Sequence, residues 1–322
     1  MNNLKKQIYS YIESNNNNNK IISKSSIKTY TNYISKLNKE FSGYDEFEPE
    51  LYLTNYKQII EFIEKLENDN SKKSYISSIL FILRKFDDKN DIYKKNIYLE
   101  YMDELKKKID DVKLNQKKSD NENNNWINQN EIKVIYDDLY NKYNHLLNKQ
   151  NNIHLNDNYQ NLQNLIILSL YHLNMPRRLL DYTELKISDV NKKLDNYIDI
   201  KNKQFVFNIF KTSKYYENNK VDINDELFKM LLLFIKLKKK NKYLNQIYLL
   251  ESNNHKKLNS VNLNNRLNKI FDDRNISVNI LRKSYLSNVY KDIPALKEIN
   301  KISNNMSNSF KEQLISYVKK WF

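Results

Sequence analysis

Two adjacent arginines, Arg177 and Arg178, follow Pro176 just beyond the apolar run Leu165–Leu173. Only four other arginines occur, Arg84, Arg266, Arg274 and Arg282, in a chain of 322 residues that carries 54 lysines and arginines. A composition heavy in Asn, Lys, Ile and Tyr is what AT-rich coding produces, and such coding favours lysine wherever a positive charge suffices. Arginine kept against that pressure points to a need for its planar, five-donor guanidinium. That group grips a phosphate through two parallel hydrogen bonds, where an ammonium supplies a point charge. The alternative is a solvated arginine pair at a helix end, worth little by itself.

Other chemistries are excluded by what the chain lacks. It has no cysteine, so neither a disulfide framework nor a thiolate metal site exists. Its four histidines, His145, His154, His172 and His255, show no ligand spacing, and no metal is expected. A single glycine rules out P-loops and dinucleotide fingerprints, which need glycine where the backbone approaches phosphate. No cofactor and no small-molecule substrate are expected. No apolar run reaches membrane-spanning length and the segment MNNLKKQIYS lacks a secretory apolar core, so an intracellular, reducing compartment is expected. The net charge of +15 points to a polyanionic partner, nucleic acid before membrane.

The elements that would hold the arginines are mostly helical. Residues 1–22 run into the tract Asn15–Asn19 and read as a mobile lead-in. Residues 23–112 predict a small all-α domain of four amphipathic helices. The first carries Ile27, Tyr30, Tyr33, Ile34, Leu37 and Phe41, and the others centre on Ile59–Leu66, Ser74–Phe86 and Ile97–Ile109. Residues 113–125 read as a linker, and residues 126–322 as a second domain. In that domain helices are predicted over Gln129–Leu147 and Tyr159–Leu173. Short alternating stretches at 197–200, 204–212 and 219–223 then predict a small three-stranded antiparallel sheet, with Lys211 at the end of the middle strand. Helices resume at Glu226–Lys238, Val261–Phe271, Asn279–Val289 and Phe310–Trp321, and Tyr317 lies on or beside the buried stripe of the last. The class is mainly α.

Together these points resemble the catalytic domain of the tyrosine recombinase (phage-integrase-type) superfamily. Members carry an Arg-x-x-Glu element followed by Leu-x-x-x-Asp-Ile; here Arg178-Leu-Leu-Asp181 is followed by Leu185-Lys-Ile-Ser-Asp-Val190, which puts Arg178 rather than Arg177 in the catalytic slot. The family's hairpin lysine matches Lys211. Its second arginine matches Arg282 in Asn279-Ile-Leu-Arg282, with Asn279 where His or Lys is usual. Its Leu-Gly-His-Ser turn looks like Met306-Ser-Asn-Ser309, with Asn308 in the histidine position and Ser307 in place of the glycine. Tyr317 stands nine residues beyond Asn308, the family's interval for the nucleophile. The resemblance spans about residues 25–322 and is strongest over 160–322. The Asn- and Lys-rich composition is similar to that of members from large DNA viruses, virophages and related mobile elements.

The resemblance implies an N-terminal all-α core-binding domain and a catalytic domain clamping double-stranded DNA, with four copies assembled on paired sites. It implies that the Tyr317 hydroxyl attacks a DNA phosphodiester, leaving a 3′-phosphotyrosine and a free 5′-hydroxyl. Arg178 and Arg282 would stabilise the phosphorane, and Lys211 would give a proton to the departing oxygen. Asn279 and Asn308 can donate hydrogen bonds to phosphate oxygens but cannot take the tyrosine's proton. The expected activity is site-specific recombination or integration. A recombinase-derived DNA-binding protein that no longer cuts is the second reading, and a type IB topoisomerase the third.

The charge alone generates one prediction. Affinity for duplex DNA should fall by ~10³-fold or more between about 50 and 200 mM salt, because each phosphate contact releases counterions. Fluorescence anisotropy over that range checks it, and a flat curve would remove the DNA clamp.

Overall fold

The computed structural model describes residues 3–16, 22–43, 46–148, 157–211, 219–307 and 309–313. The chain folds as two compact units, one of residues 1–117 with 294–322, the other of residues 118–293. The break after residue 117 falls inside the predicted linker. Residues 294–322, predicted as part of the second domain, cluster instead with the first unit.

The first unit is helical: α1 (Asn3–Asn15), α2 (Lys24–Phe41), α3 (Leu51–Thr54), α4 (Tyr56–Glu64), α5 (Asp69–Ile82) and α6 (Lys89–Leu114). Its three longest helices begin at a side-chain cap: Ser23 accepts from the Ser26 amide, Asn68 from that of Ser71, and Asp88 from those of Asn90 and Asp91. Ile27, Ile34 and Leu37 of α2 and Ile76, Ile79 and Ile82 of α5 supply the buried stripes. Tyr98 and Tyr52 are fully buried yet satisfied, the Tyr98 hydroxyl donating to the Tyr52 carbonyl (2.8 Å) and that of Tyr52 to the Ile34 carbonyl (3.2 Å). The predicted mobile lead-in is corrected over Asn3–Asn15. Leu4, Ile8 and Ile12, four residues apart, are buried in this core, and that stripe outweighs the polar tract that follows it.

Within the predicted linker, α6 runs on to Leu114 and a short helix, α7 (Asp120–Asn124), opens the second unit. A reciprocal capping box holds it, the Glu122 amide donating to Ser119 Oγ and the Ser119 amide to Glu122 Oε2. Then come α8 (Gln129–Tyr143), α9 (Asp157–His172), α10 (Leu179–Thr183), strands β1 (Leu185–Lys186), β2 (Asn196–Asp199), β3 (Gln204–Phe207) and β4 (Asn219–Asp222), α11 (Asp225–Lys240), α12 (Ser260–Ile270) and α13 (Val278–Val289).

The predicted three-stranded antiparallel sheet is a four-stranded mixed one, in order β1-β2-β3-β4. β2, β3 and β4 pair antiparallel as expected, whereas β1 adds parallel to β2 through Leu185↔Asn196 and Lys186↔Tyr197. Two residues are too few to show an alternating pattern, which is why β1 is invisible in the sequence. The middle strand also ends early, at Phe207, so Lys211 stands in the turn beyond it rather than at the strand end. The final elements are α14 (Leu296–Asn305), for which no helix was predicted, and α15 (Phe310–Glu312). Among the described residues no helix is long and apolar enough to cross a membrane.

The core of the second unit encloses charge. Lys238 and Glu251 are both fully buried, with Nζ 2.8 Å from Oε2. The same Oε2 accepts the Asn245 amide, Oε1 lies 2.8 Å from His255 Nδ1, and the Glu251 backbone exchanges two hydrogen bonds with the Gln163 side chain. Burial pulls the Lys238 pKa down, and Glu251 opposes that shift. Lys238→Met should therefore cost about 3–5 kcal/mol by removing the buried cation and leaving the Glu251 carboxylate only His255 and the Asn245 amide. Adding Glu251→Gln should restore much of that loss, since no charge then stays buried. Urea unfolding of the single and double variants checks this, and a near-wild-type single variant would refute it.

Candidate functional site

Of the six arginines, four have partners. Arg274 pairs with Glu131 (3.5 Å), Arg266 donates to Asn253 (3.1 Å), Arg84 stacks over Phe81 and Arg177 pairs with Asp181. The guanidiniums of Arg178 and Arg282 make no hydrogen bond, ion pair or ring stack among the described residues. Both side chains are only half-buried, open to an incoming ligand. They stand 104 positions apart in sequence, yet the fold puts their charges in electrostatic reach of each other. Burial first, then the like charge of Arg178, lower the Arg282 pKa, while Asp181 opposes that shift.

Local structure explains how each is held. Arg178 is the N-cap residue of α10, extended at φ −70° and ψ 157°, so its side chain leaves the helix at its first turn. Arg282 lies one turn into α13, whose start is fixed by the Ser277 hydroxyl accepting from the Ile280 amide. A hydrogen bond from Gln129 Nε2 to Ser284 Oγ (2.9 Å) ties α13 to α8. The buried Asp181 and Tyr171 lie within electrostatic reach of Arg282. Asp181 Oδ2 accepts from Arg177 Nε at 2.8 Å, while Oδ1 is buried without a hydrogen bond. Burial raises the Asp181 pKa against the pull of Arg177 and Arg178, and drives the buried Tyr171 hydroxyl well above the usual tyrosine range.

The remaining predicted residues divide. Asn279, one helical turn before Arg282, is exposed, and its amide makes no hydrogen bond among the described residues. Lys211 is exposed on the turn that follows Phe210, likewise without an ion pair among the described residues. Asn308 and Tyr317 lie outside the described residues. Ser307, in the position of the family's glycine, takes a left-handed backbone (φ +53°) that glycine adopts without strain.

Sequence reasoning missed two residues that organise this region. Asn196 is fully buried in β2, and its amide makes four hydrogen bonds. Nδ2 donates to the carbonyls of Asp181 (3.1 Å) and Ile209 (2.9 Å), and Oδ1 accepts from the amides of Asn208 (2.8 Å) and Ile209 (2.7 Å). This diverts Asn208 and Ile209 from strand pairing, so β3 ends at Phe207. The other is Arg177, whose guanidinium lies 4.0 Å from the Phe207 ring centroid and 5.8 Å from that of Phe210. Asn196 could not be singled out in so Asn-rich a chain. The spacing of Phe207 and Phe210 was the available signal for Arg177.

Two half-buried guanidiniums without an ion pair among the described residues, within electrostatic reach of one another, suit an oxyanion, which would relieve their repulsion. No protein-family model matches the chain, and no curated protein does.

Sulfate or phosphate should therefore stabilise the protein beyond an equal ionic strength of chloride. An anion at about ten times its Kd contributes ~1.4 kcal/mol, a Tm rise of roughly 3–6 °C for a unit of this size. The excess over chloride should vanish in Arg178→Gln and Arg282→Gln. Calorimetry decides, and an equal rise in both variants would leave only the general salting-out effect of these anions.

Proposed function

We propose that the chain binds duplex DNA and cuts and rejoins one strand through a tyrosine ester, as the resemblance to tyrosine recombinases implies. The observation that carries this reading is the convergence of Arg178 and Arg282, the two arginines without a partner among the described residues and the two the family's motifs single out. The left-handed Ser307 is a second support, because a glycine belongs at that place in the family's turn. In the first unit, a groove of about 370 Å³ between α1 and α2 is lined by Lys5, Lys24 and Lys28 with Tyr9, Thr31 and Asn32 and by no acid. Such a groove favours contact with a phosphate backbone. The first unit then serves as the core-binding domain and the second as the framework of the catalytic domain. Assembly of four copies on paired sites follows from the same resemblance.

In the proposed reaction the Tyr317 oxygen attacks phosphorus, and Arg178 and Arg282 hold the non-bridging oxygens as negative charge builds on them. Lys211 protonates the departing 5′-oxygen. The chemistry needs no cofactor, because the ester stores the energy of the broken bond for rejoining. One feature favours the binding-only reading. Asn279 offers an exposed amide one turn from Arg282, and asparagine can donate to a phosphate oxygen but not accept a proton. Loss of general acid–base help costs about 10²–10⁴-fold where it operates.

Covalent trapping on a nicked duplex tests the proposal. The wild-type chain should form a protein–DNA adduct, and Tyr317→Phe should form none while binding DNA equally well. An adduct that persists would name another tyrosine, such as Tyr285 or Tyr290. Asn308→His should raise the trapping rate. No adduct from any form, even with Asn279 and Asn308 both changed to His, would leave the binding-only reading standing. Relaxation of a plasmid that lacks paired sites would instead favour the topoisomerase.

A further inference from the structure

Arg177 stands one position outside the slot that the family motif assigns, yet its surroundings are the most constrained of the arginines in this region. Its Nε pairs with Asp181 at 2.8 Å, and its guanidinium face lies on Phe207 and near Phe210. The partners come from two places in the chain. Asp181 belongs to α10, the helix that Arg178 caps, whereas Phe207 closes β3 and Phe210 directly precedes Lys211. Arg177 thus bridges the segment that carries the first candidate guanidinium and the turn that carries the candidate proton donor. A lysine could form the ion pair, but it cannot also lay a flat face on an aromatic ring. That accounts for an arginine here in a chain that otherwise supplies positive charge as lysine.

We propose that Arg177 is a positioning residue for Lys211. It clamps the Phe207–Phe210 segment to α10, so that the ammonium stands where the leaving oxygen departs. The inference rests on the strand-transfer reading above. It assigns Arg177 a part in proton delivery rather than in holding the phosphate, which remains with Arg178 and Arg282.

The chemistry of the leaving group supplies a test. In the cleavage step the Tyr317 hydroxyl gives up its proton to water as its O–P bond forms, and the P–O5′ bond breaks. The bonding pair stays on the 5′-oxygen, which takes a proton from Lys211. With sulfur in place of that bridging oxygen, the P–S bond breaks to a thiolate, which leaves without a proton. Loss of the donor is therefore masked on a bridging-sulfur duplex, whereas loss of phosphate binding is not.

Cleavage rates of Arg177→Lys, Phe210→Leu, Lys211→Ala and Arg282→Lys are measured on both duplexes, with DNA affinity and Tm recorded alongside. On ordinary DNA Lys211→Ala should lose about 10²–10⁴-fold, and Arg177→Lys and Phe210→Leu on the order of tenfold or more. On the sulfur duplex these three should return close to the wild-type rate, while Arg282→Lys should stay slow. A deficit of Arg177→Lys that persists on sulfur, or the absence of any deficit on ordinary DNA, overturns the proposal. If Arg177→Lys fails to fold, Phe210→Leu, which leaves the Asp181 pair in place, decides by the same criteria. Lys211→Ala without sulfur rescue refutes the role of Lys211, and the proposal falls with it. A wild-type chain that cuts neither duplex sinks the strand-transfer reading itself, a result distinct from the others.

Discussion

One buried carboxamide holds together the part of the second unit on which the functional reading depends. Asn196 uses its full capacity, two donors and two acceptor bonds, on the backbone of α10 and of the β3 exit. The Asp181 carbonyl would otherwise be orphaned in the interior, and a buried backbone group without a partner is rare because it is costly. The constraint acts in two directions. It fixes the end of α10 against the sheet, and it forces the chain after Phe207 to leave the ladder. The side chains that emerge from the two segments, Arg177 and Arg178 on one side and Phe210 and Lys211 on the other, take their relative places from that junction. Aromatic packing continues the same joint, with Tyr182 of α10 meeting the edges of Phe205 and Phe207.

The unit treats its charges in two opposed ways. Where it encloses a charge fully, as at Lys238 and Glu251, it surrounds it with an opposite charge and with backbone donors, as the cost of desolvation demands. At Arg178 and Arg282 it sets like charges within electrostatic reach of one another, with no ion pair to either among the described residues. A fold selected for stability alone has no reason to keep such a pair half out of water. An anionic ligand, as proposed above, would give it one.

Much of the architecture was legible because helical periodicity is a strong signal. The buried stripes of α2, α5, α11 and α12 fall where spacing predicts them, and the antiparallel pairing of β2, β3 and β4 follows from their alternation. What escaped was short, or set by tertiary contact. β1 has two residues, α7 has five, and the end of β3 is decided by a side chain in another strand. The α1 stripe was present in the sequence at Leu4, Ile8 and Ile12, but the asparagine tract beside it suggested a solvated lead-in. In the candidate site, the scarcity of arginine made all six informative, and the resemblance to the family's motifs then singled out Arg178 and Arg282. The same scarcity could not sort Arg177 from Arg178. In the structure the Asp181 ion pair and the rings of Phe207 and Phe210 set the surroundings of Arg177 apart from those of Arg178.

The placement of α14 has a consequence for how the molecule is made. This helix joins the first unit, where the Leu296 amide donates to Gln116 Oε1 at 2.8 Å, although the packed helices of that unit end at Leu114. All of residues 118–293, 176 positions, are synthesised in between. At a translation rate of ~5–20 residues per second, about 9–35 s pass before the part of the first unit that carries α14 is made. The six earlier helices are thus complete as sequence well before α14 exists, so this unit is assembled from two pieces of chain made at different times.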